Sequence, residues 1–197
     1  MAANNAVEFF MFVGQLKTEQ RTGWTHHDIK NVESVSDHMY RMSMMAMLLD
    51  APDIDKTRCM KLALVHDLAE CIVGDITPYC GVAPEEKDRR EREAMHKITK
   101  NIPKQIADEV LDLWEEYNKR ETAEAKIVKD LDRFEMILQA FEYEKAEQRP
   151  GELEIFYNST KGKFCSAQVI SWVENLYQRR KDFIEQSTEP KDLQEDK

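Results

Sequence analysis

Residues 62–70 read Leu62-Ala63-Leu64-Val65-His66-Asp67-Leu68-Ala69-Glu70. This is an apolar run into which a histidine and two acids are set. An adjacent His-Asp pair alone is commonly a helix surface or a cap. Inside an apolar run the same groups are expected to be buried, and a buried carboxylate needs a cation or hydrogen bonds. Neighbours on a helix diverge by about 100°. Both side chains then serve the interior only if they reach one central object, and a metal ion is the simplest such object.

The signal recurs on either side. His38 stands just ahead of Met42, Met44, Met45 and Met47. Downstream, Lys129-Asp130-Leu131-Asp132 offers two aspartates. Asp132 is the preferred one, because Val128, Asp132 and Met136 share a helical face; Asp130 is its rival. His38, His66, Asp67 and Asp132 together could hold one divalent ion. Two neutral imidazoles and two carboxylates offset its charge, which makes burial tolerable. Mixed nitrogen and oxygen donors suit manganese, iron, cobalt, nickel or zinc better than a purely oxygen-seeking ion. Glu70 lies one turn beyond His66 and projects to the same side.

Working outward, almost every segment has helical period. Residues 4–17 place Val7, Phe10, Met11 and Leu16 on one side. Residues 20–33 are the least periodic part of the N-terminal half and read as a loop. Ser34 or Ser36 caps a helix running to about Leu49. Asp53 or Asp55 caps the next, which carries the His-Asp pair and runs to about Val73. Gly74 ends it, and Asp75-Ile76-Thr77-Pro78 forms a turn. Further helices are expected at about 84–100, 103–117, 121–147 and 165–186, with Arg149-Pro150-Gly151 as a break. No segment reads as a convincing strand. The expected fold is all-α: one domain over residues 1–186, a helical bundle around a buried polar centre, with residues 187–197 as a frayed acidic tail.

The 197 residues carry a formal net charge of −10. That argues against nucleic-acid polymers and anionic membranes as partners. An anionic substrate would need a local cation. Cys59, Cys71, Cys80 and Cys165 show no CxxC spacing and read as reduced thiols of a cytoplasmic protein. No apolar stretch approaches the roughly 20 residues of a membrane span.

His38, His66-Asp67 and Asp132, with Glu70, Gly74-Asp75-Ile76-Thr77-Pro78, Gly23-Trp24 and the Lys129–Asp132 segment, resemble the HD superfamily of metal-dependent phosphohydrolases, in its 5′-deoxynucleotidase branch. The resemblance covers roughly residues 5–180. It implies hydrolysis of deoxyribonucleoside 5′-monophosphates to nucleoside and phosphate by a homodimer that uses a divalent metal. Manganese, cobalt or magnesium is the expected ion, with zinc, nickel or iron also compatible. His38, His66, Asp67 and Asp132 carry over as its ligands. Glu70 carries over as acid or base, as orienter of the attacking water, or, with Asp75 and the Ile76 carbonyl, as ligand to a second ion. Asp75 is the other catalytic candidate, near the phosphate. Trp24 matches a position near the sugar, where it would exclude ribose. The bacterial enzyme of the family carries arginine directly before that tryptophan; here the place is Gly23, and Arg21 is the alternative cation. Asp75, Ile76, Thr77 and Pro78 are the remaining substrate contacts. Two other readings compete: a cyclic-nucleotide or ppGpp hydrolase of the same superfamily, and a non-enzymatic helical module with a structural metal.

Overall fold

The computed structural model describes residues 3–188, and among them no strand forms. The fold is all-α. In chain order the helices are α1 (Ala3–Gln15), α2 (Thr22–Thr25), α3 (Val35–Met47), α4 (Lys56–Val65), α5 (Glu70–Val73), α6 (Pro84–Thr99), α7 (Lys104–Lys119), α8 (Ala123–Ala146), α9 (Glu154–Thr160) and α10 (Ala167–Thr188). A 3-10 turn spans Pro78–Cys80. The chain divides into two compact units, and the division falls inside α8, between Leu131 and Asp132. No described helix is long and apolar enough to cross a membrane.

In the first unit the core gathers Leu16, Val35, Met39, Leu68, Ala69, Ala94, Met95, Ile98 and Trp114. The side of α1 packed on it is Phe9 and Phe12, with Leu16 just past the helix end. Val7, Phe10 and Met11, the expected inner face, are exposed. This helix is apolar on more than one side, so periodicity alone does not choose between Phe9-Phe12-Leu16 and Val7-Phe10-Met11.

The loop expected at 20–33 contains the single turn α2. An isolated antiparallel bridge between Gln20 and Ser34 closes it. Of the two serines, Ser34 is the cap: its Oγ accepts from the Asp37 amide at 3.1 Å while Asp37 Oδ2 accepts from the Ser34 amide at 2.9 Å. This reciprocal box fixes the start of α3, and hence the direction in which His38 points. Ser34→Ala is expected to cost about 1 kcal/mol, a fall of about 2–4 °C in Tm for a chain of this size. A thermal melt showing no change would contradict that role.

Asp55, not Asp53, caps α4, its Oδ1 accepting from the Arg58 amide at 3.0 Å. The expected continuous helix to Val73 is interrupted. From His66 to Ala69 the α-pattern gives way to tighter bonds, Leu68 N to Val65 O at 3.0 Å and Glu70 N to Asp67 O at 3.0 Å. The His-Asp pair therefore sits in a tightened turn between α4 and α5. Gly74 follows with φ 74° and ψ 171°, a region that only glycine adopts without strain. A Cβ there would also meet Glu19 Oε1 at 3.2 Å.

The second unit comprises the rest of α8 with α9 and α10. Helix α9, within residues 152–164, was not anticipated from the sequence. A buried network organises this unit. Arg180 Nε and Nη2 donate to the two oxygens of Glu144, each at 2.8 Å, and its guanidinium stacks 3.8 Å from the Tyr157 ring. Bidentate pairing of this kind is what makes a buried carboxylate tolerable. Residues 187–188, expected to open the frayed tail, are the last residues of α10; residues 189–197 lie outside the described residues.

Candidate metal centre

Helix α3 and the turn between α4 and α5 bring His38, His66 and Asp67 together. One donor atom from each lies within 4.8 Å of the others. His38, on α3, is 0% exposed and His66 4%. Their rings meet edge to face, 5.4 Å between centroids, and the Tyr117 ring backs His66 at 4.8 Å. The tautomer of His66 follows from its neighbour. Nδ1 lies 2.9 Å from the Ala63 carbonyl, which only accepts. Nδ1 therefore carries the proton, and Nε2 turns a lone pair inward.

That lone pair faces Asp67 Oδ2 at 3.0 Å and has no hydrogen-bond partner. Two electron-rich atoms at that separation repel unless a cation joins them. His38 Nε2 lies 3.9 Å from the same Oδ2, and Arg21 Nη1 donates to it at 3.2 Å. Burial pushes the Asp67 carboxyl up, but the contact with His66, the Arg21 guanidinium and the His38 ring outweigh it and hold the group well below the usual carboxylate range. The donor set of two imidazoles and a carboxylate fits a divalent transition ion.

Asp132 is half-buried on α8, at the start of the second unit, whereas Asp130 is fully buried. Its place in the ligand set rests on the sequence pattern.

Glu70 opens α5 at 4% exposure, and its Oε2 has no hydrogen-bond partner. Burial, followed by the negative charges of Asp67 and Asp75, raises its pKa well above the usual range; Arg21 and Lys87 oppose this without reversing it. A carboxyl that holds its proton more tightly than usual suits the role of a general acid to a developing alkoxide. Asp75 is 9% exposed, and its Oδ2 accepts from the Thr22 amide at 2.8 Å. This bond ties the turn after α5 to the segment that carries Arg21 and Trp24.

Trp24 is only 2% exposed, and its indole N–H donates to Glu33 Oε1 at 2.8 Å. Its ring is covered, so it acts on its surroundings as the anchor of its loop. Ile76 is buried, Thr77 half-buried and Pro78 exposed. Exposed His26 stacks on Tyr79, 5.4 Å between centroids, and His96 is exposed as expected of a solvated residue.

One neighbour of the site was missed from the sequence. Lys87, on α6, donates from Nζ to the Ile76 carbonyl at 2.7 Å. Helix α6 is dense in lysine, arginine and glutamate, so each charge reads as solvated. The available signal was the i,i+4 pair with Glu91.

The model of the HD domain matches residues 13–170, a span that runs through both units. The chain is 52% identical to the 5′-deoxynucleotidase HDDC2 of Xenopus laevis over 183 residues, 93% of this chain and 91% of that protein. It is 51% identical to the 5′-deoxynucleotidase HDDC2 of Homo sapiens over 178 residues, 90% of this chain and 87% of that protein. Among solved structures, the HD domain-containing protein YGK1(YGL101W) superposes with a TM-score of 0.72 at 31% identity, covering 92% of this chain and 88% of that one. The chain belongs to the HD domain family.

Proposed function

We infer that the chain is a 5′-deoxynucleotidase that hydrolyses deoxyribonucleoside 5′-monophosphates to deoxynucleosides and phosphate with the help of a divalent metal. The observation that carries this reading is the buried His38-His66-Asp67 cluster with the buried carboxyl of Glu70 beside it, in a chain about half identical to proteins bearing that name.

His38, His66 and Asp67 would hold the ion, with Asp132 as the fourth ligand. Manganese or cobalt suits this donor set, and magnesium, zinc, nickel and iron are alternatives. When bound, such an ion supplies Lewis-acid stabilisation of the phosphoryl oxygens and acidifies water. The chain's own groups do the rest. Arg21 offers a guanidinium to the phosphate while also bonding Asp67. Glu70 protonates the leaving 5′ oxygen. Asp75 fixes the relation between the α2 loop and the substrate turn and orients the attacking water. Thr77 and the backbone of 75–78 line the sugar. A second ion at Glu70, Asp75 and the Ile76 carbonyl is the alternative use of these groups: it would need Glu70 ionised and would have to displace the Lys87 ammonium from that carbonyl. We further propose that both units form one HD domain, that the protein is a homodimer, and that it works in the cytoplasm, where Cys59, Cys71, Cys80 and Cys165 stay free thiols.

Selection against ribose follows from the covered loop. A 2′-hydroxyl pressed against the Trp24 loop or the Asp75–Pro78 turn loses water partners without replacement, at about 1–3 kcal/mol. The ratio of kcat/KM for dAMP over AMP is therefore expected to be about 5- to 150-fold. Trp24→Ala should lower it by loosening the loop. A wild-type ratio near one removes the deoxy-specific reading. A high ratio untouched by Trp24→Ala moves the discrimination to the Asp75–Pro78 turn.

A further inference from the structure

The site lies in a strongly acidic chain and is itself acidic. Asp67, Glu70, Asp75 and Glu91 all act on one another or on its cations. A phosphate dianion entering such a corner needs donors that are not wholly absorbed by those carboxylates. Arg21 already bonds Asp67. Lys87 is the other cation there, and its geometry differs. Its Nζ is 2.7 Å from the Ile76 carbonyl but 3.4 Å from Glu91 Oε1, a loose ion pair. The Lys87 side chain keeps 37% exposure while Glu91 keeps 14%. An ammonium has three N–H donors. One is spent on a neutral carbonyl and one leans toward Glu91, which leaves a donor for the solvent side. The charge of Lys87 also reaches Glu70 and Asp67.

We propose that Lys87 is a phosphate-binding residue of this site: its ammonium, seated on the substrate turn by the Ile76 carbonyl, takes a non-bridging oxygen of the 5′-phosphate. The proposal rests on the 5′-deoxynucleotidase reading. Glu91 is its positioning partner and tempers its charge when the phosphate is absent. Lys87 comes from α6 and Arg21 from the segment before α2, so the phosphate is met by cations from two separate elements.

Calorimetric titration of metal-loaded protein with inorganic phosphate tests this, beside dAMP turnover, metal content and Tm. Lys87→Met should weaken phosphate binding by about tenfold or more, the scale of one lost charge-assisted hydrogen bond. KM for dAMP should rise in parallel, with metal content kept. Lys87→Arg should restore most of the binding, and Glu91→Gln should tighten it. A residue that only straps the turn would lower Tm and leave phosphate affinity alone. Unchanged phosphate affinity in Lys87→Met overturns the proposal while wild-type turnover of dAMP keeps the functional reading. If Lys87→Met does not fold, an unchanged affinity in Glu91→Gln overturns it instead. Absence of dAMP turnover in the wild type overturns the functional reading, on which the proposal rests.

Discussion

Asp67→Ala is expected to abolish bound metal and hydrolysis together. Asp67 Oδ2 is the atom that His66, His38 and Arg21 all approach, at 3.0, 3.9 and 3.2 Å. Removing it leaves two buried imidazoles without a carboxylate between them and strips Arg21 of that anion. A site left with two neutral imidazoles and the single carboxylate of the proposed fourth ligand Asp132 no longer balances the charge of a buried divalent ion. Metal analysis after gel filtration should find far less than one ion per chain. The stabilisation that the metal gives the wild type should vanish too, about 2.7 kcal/mol where free metal stands at about 100 times its Kd. Full metal content in purified Asp67→Ala would remove this aspartate from the ligand set.

Glu70→Gln is expected to keep the metal and lose turnover. Glutamine has the shape and hydrogen-bonding reach of the protonated acid but no proton to donate to an alkoxide. Loss of a positioned acid typically costs about 10²- to 10⁴-fold in rate. At the lower bound that is about 2.7 kcal/mol of transition-state stabilisation. The burial of Glu70 and the unpartnered Oε2 give the loss its direction, because this oxygen is satisfied neither by solvent nor by a neighbouring donor. Steady-state kinetics on protein with verified metal content decide it. Turnover near that of the wild type would leave Glu70 as the first residue of α5 and pass the acid role to Asp75.

The centre of the site was legible because its residues break a strong local rule. His38, His66 and Asp67 are polar groups set in apolar segments, and each is buried or nearly so as that placement demands. The caps were legible for a similar reason: serine and aspartate at helix starts have few other tasks, although the choice between Ser34 and Ser36, or Asp53 and Asp55, needed coordinates. Three features were not legible. The break in the helix at His66–Ala69 leaves no mark, because Leu68 and Ala69 are good helix formers and packing overrides their propensity. The seven residues of α9 are too short to show a period. Lys87 is hidden by composition, one cation among many on α6, and only the fold sets it on the Ile76 carbonyl. The covered ring of Trp24 is a related case, since a tryptophan in a glycine-containing loop reads equally as a contact to the sugar or as a lid residue packing on the core.

The most direct test removes the metal and returns it. The wild-type protein is stripped with a chelator, then titrated with manganese or cobalt while bound metal and phosphate release from dAMP are read on the same samples, with AMP and cyclic AMP in parallel. Activity on dAMP should be absent from the stripped protein and rise in proportion to occupancy of the His38-His66-Asp67 site, with AMP hydrolysed more slowly and cyclic AMP left intact. Full occupancy with no phosphate released from dAMP, or equal release from stripped and loaded protein, would contradict the account.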